Sequence, residues 1–75
     1  MVNAFILIMS KTGTERSVIR ELSKLEEVVD VSVVYGDYDI IAKIQAETLE
    51  DLNSVILDKI RALDEVSNTS TLIAV

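Results

Sequence analysis

The chain contains no cysteine, no histidine, no proline and no tryptophan, and its 75 residues include only two glycines and three aromatics. Each absence excludes something. Without cysteine there is no disulfide and no iron–sulfur ligation, and without cysteine or histidine a zinc site has no ordinary ligands. Nucleophilic catalysis loses its commonest thiol and its commonest base, leaving Lys, Ser and carboxylates. No glycine-rich loop with phosphate-cradling spacing is present. The three aromatics, Phe5, Tyr35 and Tyr38, cannot fill a core, so the interior must be built from Val, Ile and Leu. They also cannot form the stacking platform of an RNA-recognition sheet. Positive charge is scarce as well: seven Lys and Arg against thirteen Asp and Glu leave a net charge of −6. That balance opposes general binding to a phosphate backbone. Arg16, Arg20 and Lys24 recur every four residues and read as a solvated helix face. No apolar run approaches the ~20 residues that span a bilayer, and the apolar start has neither a preceding basic region nor a small-residue cleavage site. The expectation is a soluble, cytoplasmic protein of one domain, small enough that oligomerisation is its remaining staple.

What is present is periodic. Residues 2–9, VNAFILIM, form a short, nearly continuous apolar run that reads as a strand covered on both faces. A polar break, SKTGT, follows around Gly13. From Thr14 to Glu27 the period becomes helical, with Val18, Ile19, Leu22 and Leu25 on one face and Thr12 or Thr14 as N-cap. Val28 to Tyr35 alternates with period two, placing Val29, Val31, Val33 and Tyr35 together. Tyr38 to Ala46 does the same, with Ile40, Ala42 and Ile44 opposite Ile41, Lys43 and Gln45. Gly36-Asp37 between them predicts a hairpin with a short turn. Thr48 to Asp51 has capping-box spacing, and the helix behind it presents Leu49, Leu52, Ile56, Ile60 and Leu63. Glu50 and Asp51 near its start and Lys59 and Arg61 near its end complement its dipole. Residues 66–75, VSNTSTLIAV, make a last strand that begins polar and ends apolar.

The order βαββαβ predicts an α+β, ferredoxin-like sandwich: a four-stranded antiparallel sheet with both helices on one face. Right-handed crossovers put the first and third strands in the middle. Two helices cover only one sheet face, yet Phe5, Leu7 and Met9 make the other face of the first strand apolar too. Val34, Ile41, Ile73 and Val75 are expected to extend that second apolar surface, which implies a homodimer formed through the sheet.

Between the central strands lies Gly36-Asp37-Tyr38-Asp39. Asp37 and Asp39 could be drawn as a general acid/base pair, but alternate acids in a turn are ordinarily solvated turn residues. Gly36 supplies a positive φ, Asp37 stabilises the turn and Tyr38 packs. The turn could also hold a small zwitterion. Backbone N–H groups near Gly36 would take its carboxylate, Asp37 or Asp39 its ammonium, and the hydroxyls of Thr69, Ser70 and Thr71 would add hydrogen bonds.

The stretches AFILI, VVDVSVVYGDYDIIAKI and VSNTSTLIAV, in this order across the whole chain, resemble the effector-binding (RAM) domain of the Lrp/AsnC family of transcriptional regulators. The Gly-Asp-Tyr-Asp turn and the Thr-Ser-Thr run carry the most specific part of the resemblance. It implies face-to-face dimers through Phe5, Leu7, Met9 and Ile41 that assemble into larger rings. It implies an amino-acid effector held between dimers by Tyr35, Gly36, Asp37, Tyr38, Asp39, Thr69, Ser70 and Thr71. No cofactor is implied, and no membrane partner. Family regulators carry an N-terminal helix-turn-helix that these residues do not supply, so the expectation is a stand-alone domain without direct DNA binding, able to co-assemble with full-length Lrp/AsnC regulators. Two alternatives stand beside it: a purely structural assembly partner that meets no ligand, and a dimeric ferredoxin-like barrel enzyme with a polar cavity in its own fold.

Overall fold

The computed structural model describes residues 1–75. Strand β1 (Val2–Ser10) leads through the Gly13 turn into helix α1 (Glu15–Ser23), then β2 (Val28–Val33), β3 (Ile40–Ala46), helix α2 (Leu49–Ser54) and β4 (Val66–Ile73). The sheet is antiparallel with order β2-β3-β1-β4, so β1 and β3 are central, as the crossover rule requires.

Alternation along the two central strands decides the layers. Ala4, Ile6 and Ile8 of β1 and Ile40, Ala42 and Ile44 of β3 are fully buried beneath the helices. Val18 and Leu22 of α1 and Leu52, Val55, Ile56 and Ile60 of the second helical segment close the core from above. All thirteen buried hydrophobics are Ala, Val, Leu or Ile, so the interior is aliphatic, as three aromatics oblige it to be.

The helices depart from their simplest reading. Thr48 caps α2 as the spacing predicts, its Oγ1 accepting the Asp51 N–H at 3.1 Å. Thr14 occupies the α1 N-cap position, but its hydroxyl donates to the Lys11 carbonyl at 2.7 Å and caps nothing. The second helix turns π-helical over Val55–Ile60, and the Arg61 N–H reaches back five residues to the Ile56 carbonyl at 2.8 Å. The wider turn buries Val55 beside Ile56. Leu49, expected on the apolar face, is 51% exposed, because the first turn overhangs the sheet only three residues after β3 ends.

Three strand details also differ. Val29 is an extra residue in a bulge between the pairs Val28↔Ile44 and Asp30↔Lys43, so it does not share a face with Val31 and Val33. The expected short hairpin is a six-residue loop, because β2 stops at Val33 and β3 starts at Ile40. Its closure is tertiary: Val34 N–H donates to Asp39 O at 2.8 Å, and Asp39 N–H to Ile8 O on β1 at 2.9 Å. Lastly, Ile73 pairs with Ala4 and so lies on the helix side, whereas Leu72 pairs with Phe5 on the opposite face.

That opposite face is apolar at its centre. Phe5, Leu7 and Met9 of β1 are joined by Ile41, directly across from Leu7, and by Leu72, directly across from Phe5. Phe5 and Met9 are each 37% exposed and Leu72 is 56% exposed. Asn3, Gln45, Lys43, Asp30, Asn68 and Ser70 form a polar border. No helix is long and apolar enough to cross a membrane.

Candidate functional site

The loop between β2 and β3 begins with strand-forming residues, yet it cannot continue the ladder. Gly36 adopts φ +137°, a conformation that L side chains rarely take, and no atom crowds the place where a Cβ would sit. Its glycine is therefore required by the backbone and not by packing. Tyr35, Gly36 and Asp37 are exposed, and Tyr38 and Asp39 half-buried. The N–H groups of Tyr35, Gly36, Asp37 and Tyr38 make no hydrogen bond within the chain. The loop thus presents a short run of free backbone donors next to a free carboxylate, Asp37.

Asp39 is differently placed. Its Oδ2 accepts the Ser10 N–H at 3.0 Å and lies 3.5 Å from the Ser10 hydroxyl. Ser10 is itself buried at the end of β1, where a bulge breaks the pairing with β4. Two acids that look equivalent in sequence are therefore unequal: Asp39 fastens the loop to the central strand, and Asp37 is free. Nothing in the sequence around Ser10 marked it as the partner. Removing the Asp39 carboxylate leaves a buried N–H unsatisfied, so Asp39→Ala is expected to lower stability by about 1–3 kcal/mol, readable in urea unfolding. A midpoint equal to wild type would show that the bond contributes nothing.

The Thr-Ser-Thr run divides between faces. Thr69 and Thr71 pair with Ile8 and Ile6 and so lie on the helix side of β4, while Ser70 pairs with Leu7 on the outer face. β4 is separated from β3 by β1, so Thr69 and the residue it would have to meet at the start of β3 are two strand spacings apart, roughly 10 Å. Within one chain the structure gathers Tyr35 to Asp39 together, and Thr69 to Thr71 together, but does not bring the two groups into one site. Phe5, Leu7, Met9 and Ile41 are brought together on the outer face.

Beside Thr69 and Thr71 a groove of about 340 Å³ opens between the end of the π-helical turn and β4. Its lining includes Ile56, Arg61, Ser67 and Asn68. Arg61, read in sequence only as a helix-dipole complement, is the single charged residue there. A second hollow of about 430 Å³ lies at the other end of the sheet, lined by Glu26, Glu27, Glu47, Asp51 and Asp58 with Lys59, which pairs with Glu27 at 3.7 Å. No group of three carboxylates is gathered tightly enough to hold a metal ion.

The basic row on α1 is exposed, as expected of a solvated face. Lys24 lies 2.8 Å from Glu21, and its hydrogen bond, then its charge, hold the Glu21 carboxyl below the usual range, with Arg20 adding a smaller pull. One of the three cations is thus already neutralised locally.

Comparison with known proteins places this geometry. The family model for the Lrp/AsnC ligand binding domain matches residues 3–75. The chain is 43% identical over 70 residues to the HTH-type transcriptional regulator FL11 of Pyrococcus abyssi, covering 93% of this chain and 46% of that protein. It is 36% identical over 74 residues to the regulatory protein AsnC of Haemophilus influenzae, covering 97% of this chain and 49% of that one. The chain therefore spans about half the length of the curated relatives it matches. Among solved structures, the crystal structure of FFRP-DM1 superposes with a TM-score of 0.98 at 47% identity, covering 100% of both chains.

Proposed function

The chain belongs to the Lrp/AsnC ligand-binding domain family, and on that premise we propose that it is an amino-acid-sensing regulatory domain. It dimerises through its outer sheet face, assembles further, and binds its effector where copies meet. The observation that carries this reading is the loop: free N–H groups at residues 35–38 and the free Asp37 carboxylate offer both kinds of partner an amino acid needs. Tyr35 and Tyr38 flank these groups. Asp39 serves the site by holding the loop in place. The hydroxyls of Thr69, Ser70 and Thr71 lie too far from the loop of their own chain, so they join the effector from a second copy. A ligand bound only by the assembled form then stabilises the assembly by mass action.

The relatives are a transcriptional regulator and a regulatory protein, and a regulatory role is proposed here, in the cytoplasm and without catalysis. The rival reading, an assembly partner without ligand, shares the dimer and differs only at the loop. Calorimetric titration with the twenty amino acids separates them. One or more should bind, and Asp37→Ala should weaken binding by about 1.5–3 kcal/mol, the usual value of a hydrogen bond to a charged group, with the fold unchanged. If no amino acid binds wild type at millimolar concentration, the loop is only a loop.

Action on transcription would require a DNA-binding partner, and full-length Lrp/AsnC regulators are the partners proposed. With a net charge of −6 and one short basic row, the isolated chain is expected not to retard a promoter fragment at physiological salt. Retardation by the chain alone would overturn this. Retardation that needs an added helix-turn-helix homologue is the expected sign of co-assembly.

A further inference from the structure

An α-amino acid held by the loop alone would set its carboxylate beside Asp37 and Asp39, with no cation among residues 34–39. The loop's donors for that carboxylate are neutral, and the structure holds a cation outside both ion pairs elsewhere. We propose that the groove between the end of the second helix and β4 is a carboxylate subsite in which Arg61 is the counter-ion. The proposal rests on the effector-binding reading above and adds to it a residue, a location and a ligand class.

The groove exists because β4 is an edge strand that the helices do not cover. Thr71 and Ile73 on its helix side remain exposed. The π-helical turn ends at Ile60 and delivers Arg61 to the open flank. Neither ion pair of the structure involves Arg61, and none of the residues lining the groove is acidic. The neutral groups around it are donors with nothing to give to. The Thr69 and Thr71 hydroxyls have no hydrogen-bond partner. Asn68 is not counted among them: its side-chain oxygen accepts the Thr69 N–H at 2.9 Å, and its pairing with Met9 assigns it to the outer face. Ser67 is excluded as a donor because its hydroxyl already donates to the Met9 carbonyl at 2.9 Å.

One guanidinium fork with two hydroxyls matches a planar monoanion, which the fork can grip through two parallel hydrogen bonds. A phosphate dianion would meet a single cation in a chain of net charge −6. The expected ligand is therefore a small organic acid presenting a carboxylate, the α-carboxylate of the effector being one.

The test is titration of the folded protein with sodium propionate, followed through backbone amide chemical shifts, with sodium phosphate and an amino-acid panel as parallel arms. Propionate should shift the Thr69 and Thr71 amides saturably. Arg61→Met should raise its dissociation constant tenfold or more, Arg61→Lys less, and Lys24→Met, which removes a cation from the end of α1, should leave it unchanged. Arg61 is exposed, so loss of folding is not expected in either variant. Absence of a saturable propionate shift, indifference to Arg61→Met, or phosphate binding as tightly as propionate would each overturn the assignment. Failure of the effector reading looks different: amino acids bind no more tightly than propionate, and Asp37→Ala leaves their affinity unchanged. If amino acids bind and Arg61→Met leaves their affinity untouched, the subsite falls and the effector reading stands.

Discussion

Leu7→Asp is expected to abolish the proposed dimer. Leu7 lies at the centre of the outer sheet face, with Ile41 directly across on one side and Phe5 and Met9 next along its own face of the strand. Burying a leucine side chain is worth roughly 1.5–3 kcal/mol, and a twofold interface buries it twice. The loss of about 3 kcal/mol or more corresponds to a dissociation constant at least a hundredfold higher. The introduced carboxylates add to this, because each would be buried without a partner. Light scattering should therefore report half the mass of the proposed dimer, or the protein should fail to fold where the monomer's aliphatic core is insufficient. An elution volume and melting temperature equal to those of wild type would refute the sheet-to-sheet interface.

One residue earlier on the same strand, Ile6→Ala should act through the fold and not through assembly. Ile6 is completely buried between β3 and the helices, and the pairs that flank it, Ala42 and Thr71, are small or polar and cannot expand to fill the space. Truncating such an isoleucine costs about 2–5 kcal/mol, from lost burial and from the cavity left behind. In a domain of this size that is a large share of total stability, and it should lower the melting temperature by roughly 10 °C or more. The deficit should persist at every protein concentration, and the folded fraction should retain the wild-type mass in light scattering. A melting temperature within about 2 °C of wild type would mean that the core relaxes around the cavity far better than its close packing implies. The pair of variants thus separates the two faces of β1 by their readouts.

That both faces of β1 are apolar was legible in the alternation of residues 4–9. A strand that is apolar at every position predicts cover on both faces. The order of elements, the central position of β1 and β3, the Thr48 cap and the aliphatic core were legible for similar reasons. Each follows from periodicity, from turn chemistry or from the lack of aromatics, all of which are local properties of the chain.

What depended on distant contacts was not legible. VVDVSV offers valines at both parities, so the bulge at Val29 has no signature and only pairing with β3 reveals it. TLIAV is apolar throughout at its centre, and pairing with β1 decided that Leu72, not Ile73, faces outward. The π-helical turn uses the same apolar positions an α-helix would use, and packing chose between them.

The loop shows the boundary most sharply. The sequence by itself determined that a glycine must sit at position 36, because the backbone there needs a conformation other residues avoid, and that two acids follow it. Only the tertiary structure decided what each acid does. A carboxylate's role is set by the donors that reach it, and the donor for Asp39 is the amide of Ser10, 29 residues away in the chain and brought near by the pairing of β1 with β3. Asp37 has no such neighbour and stays free. For the same reason Arg61, read in sequence only as a helix-dipole complement, shares a groove with Thr69: an edge strand and a helix end become neighbours only once the sheet has closed.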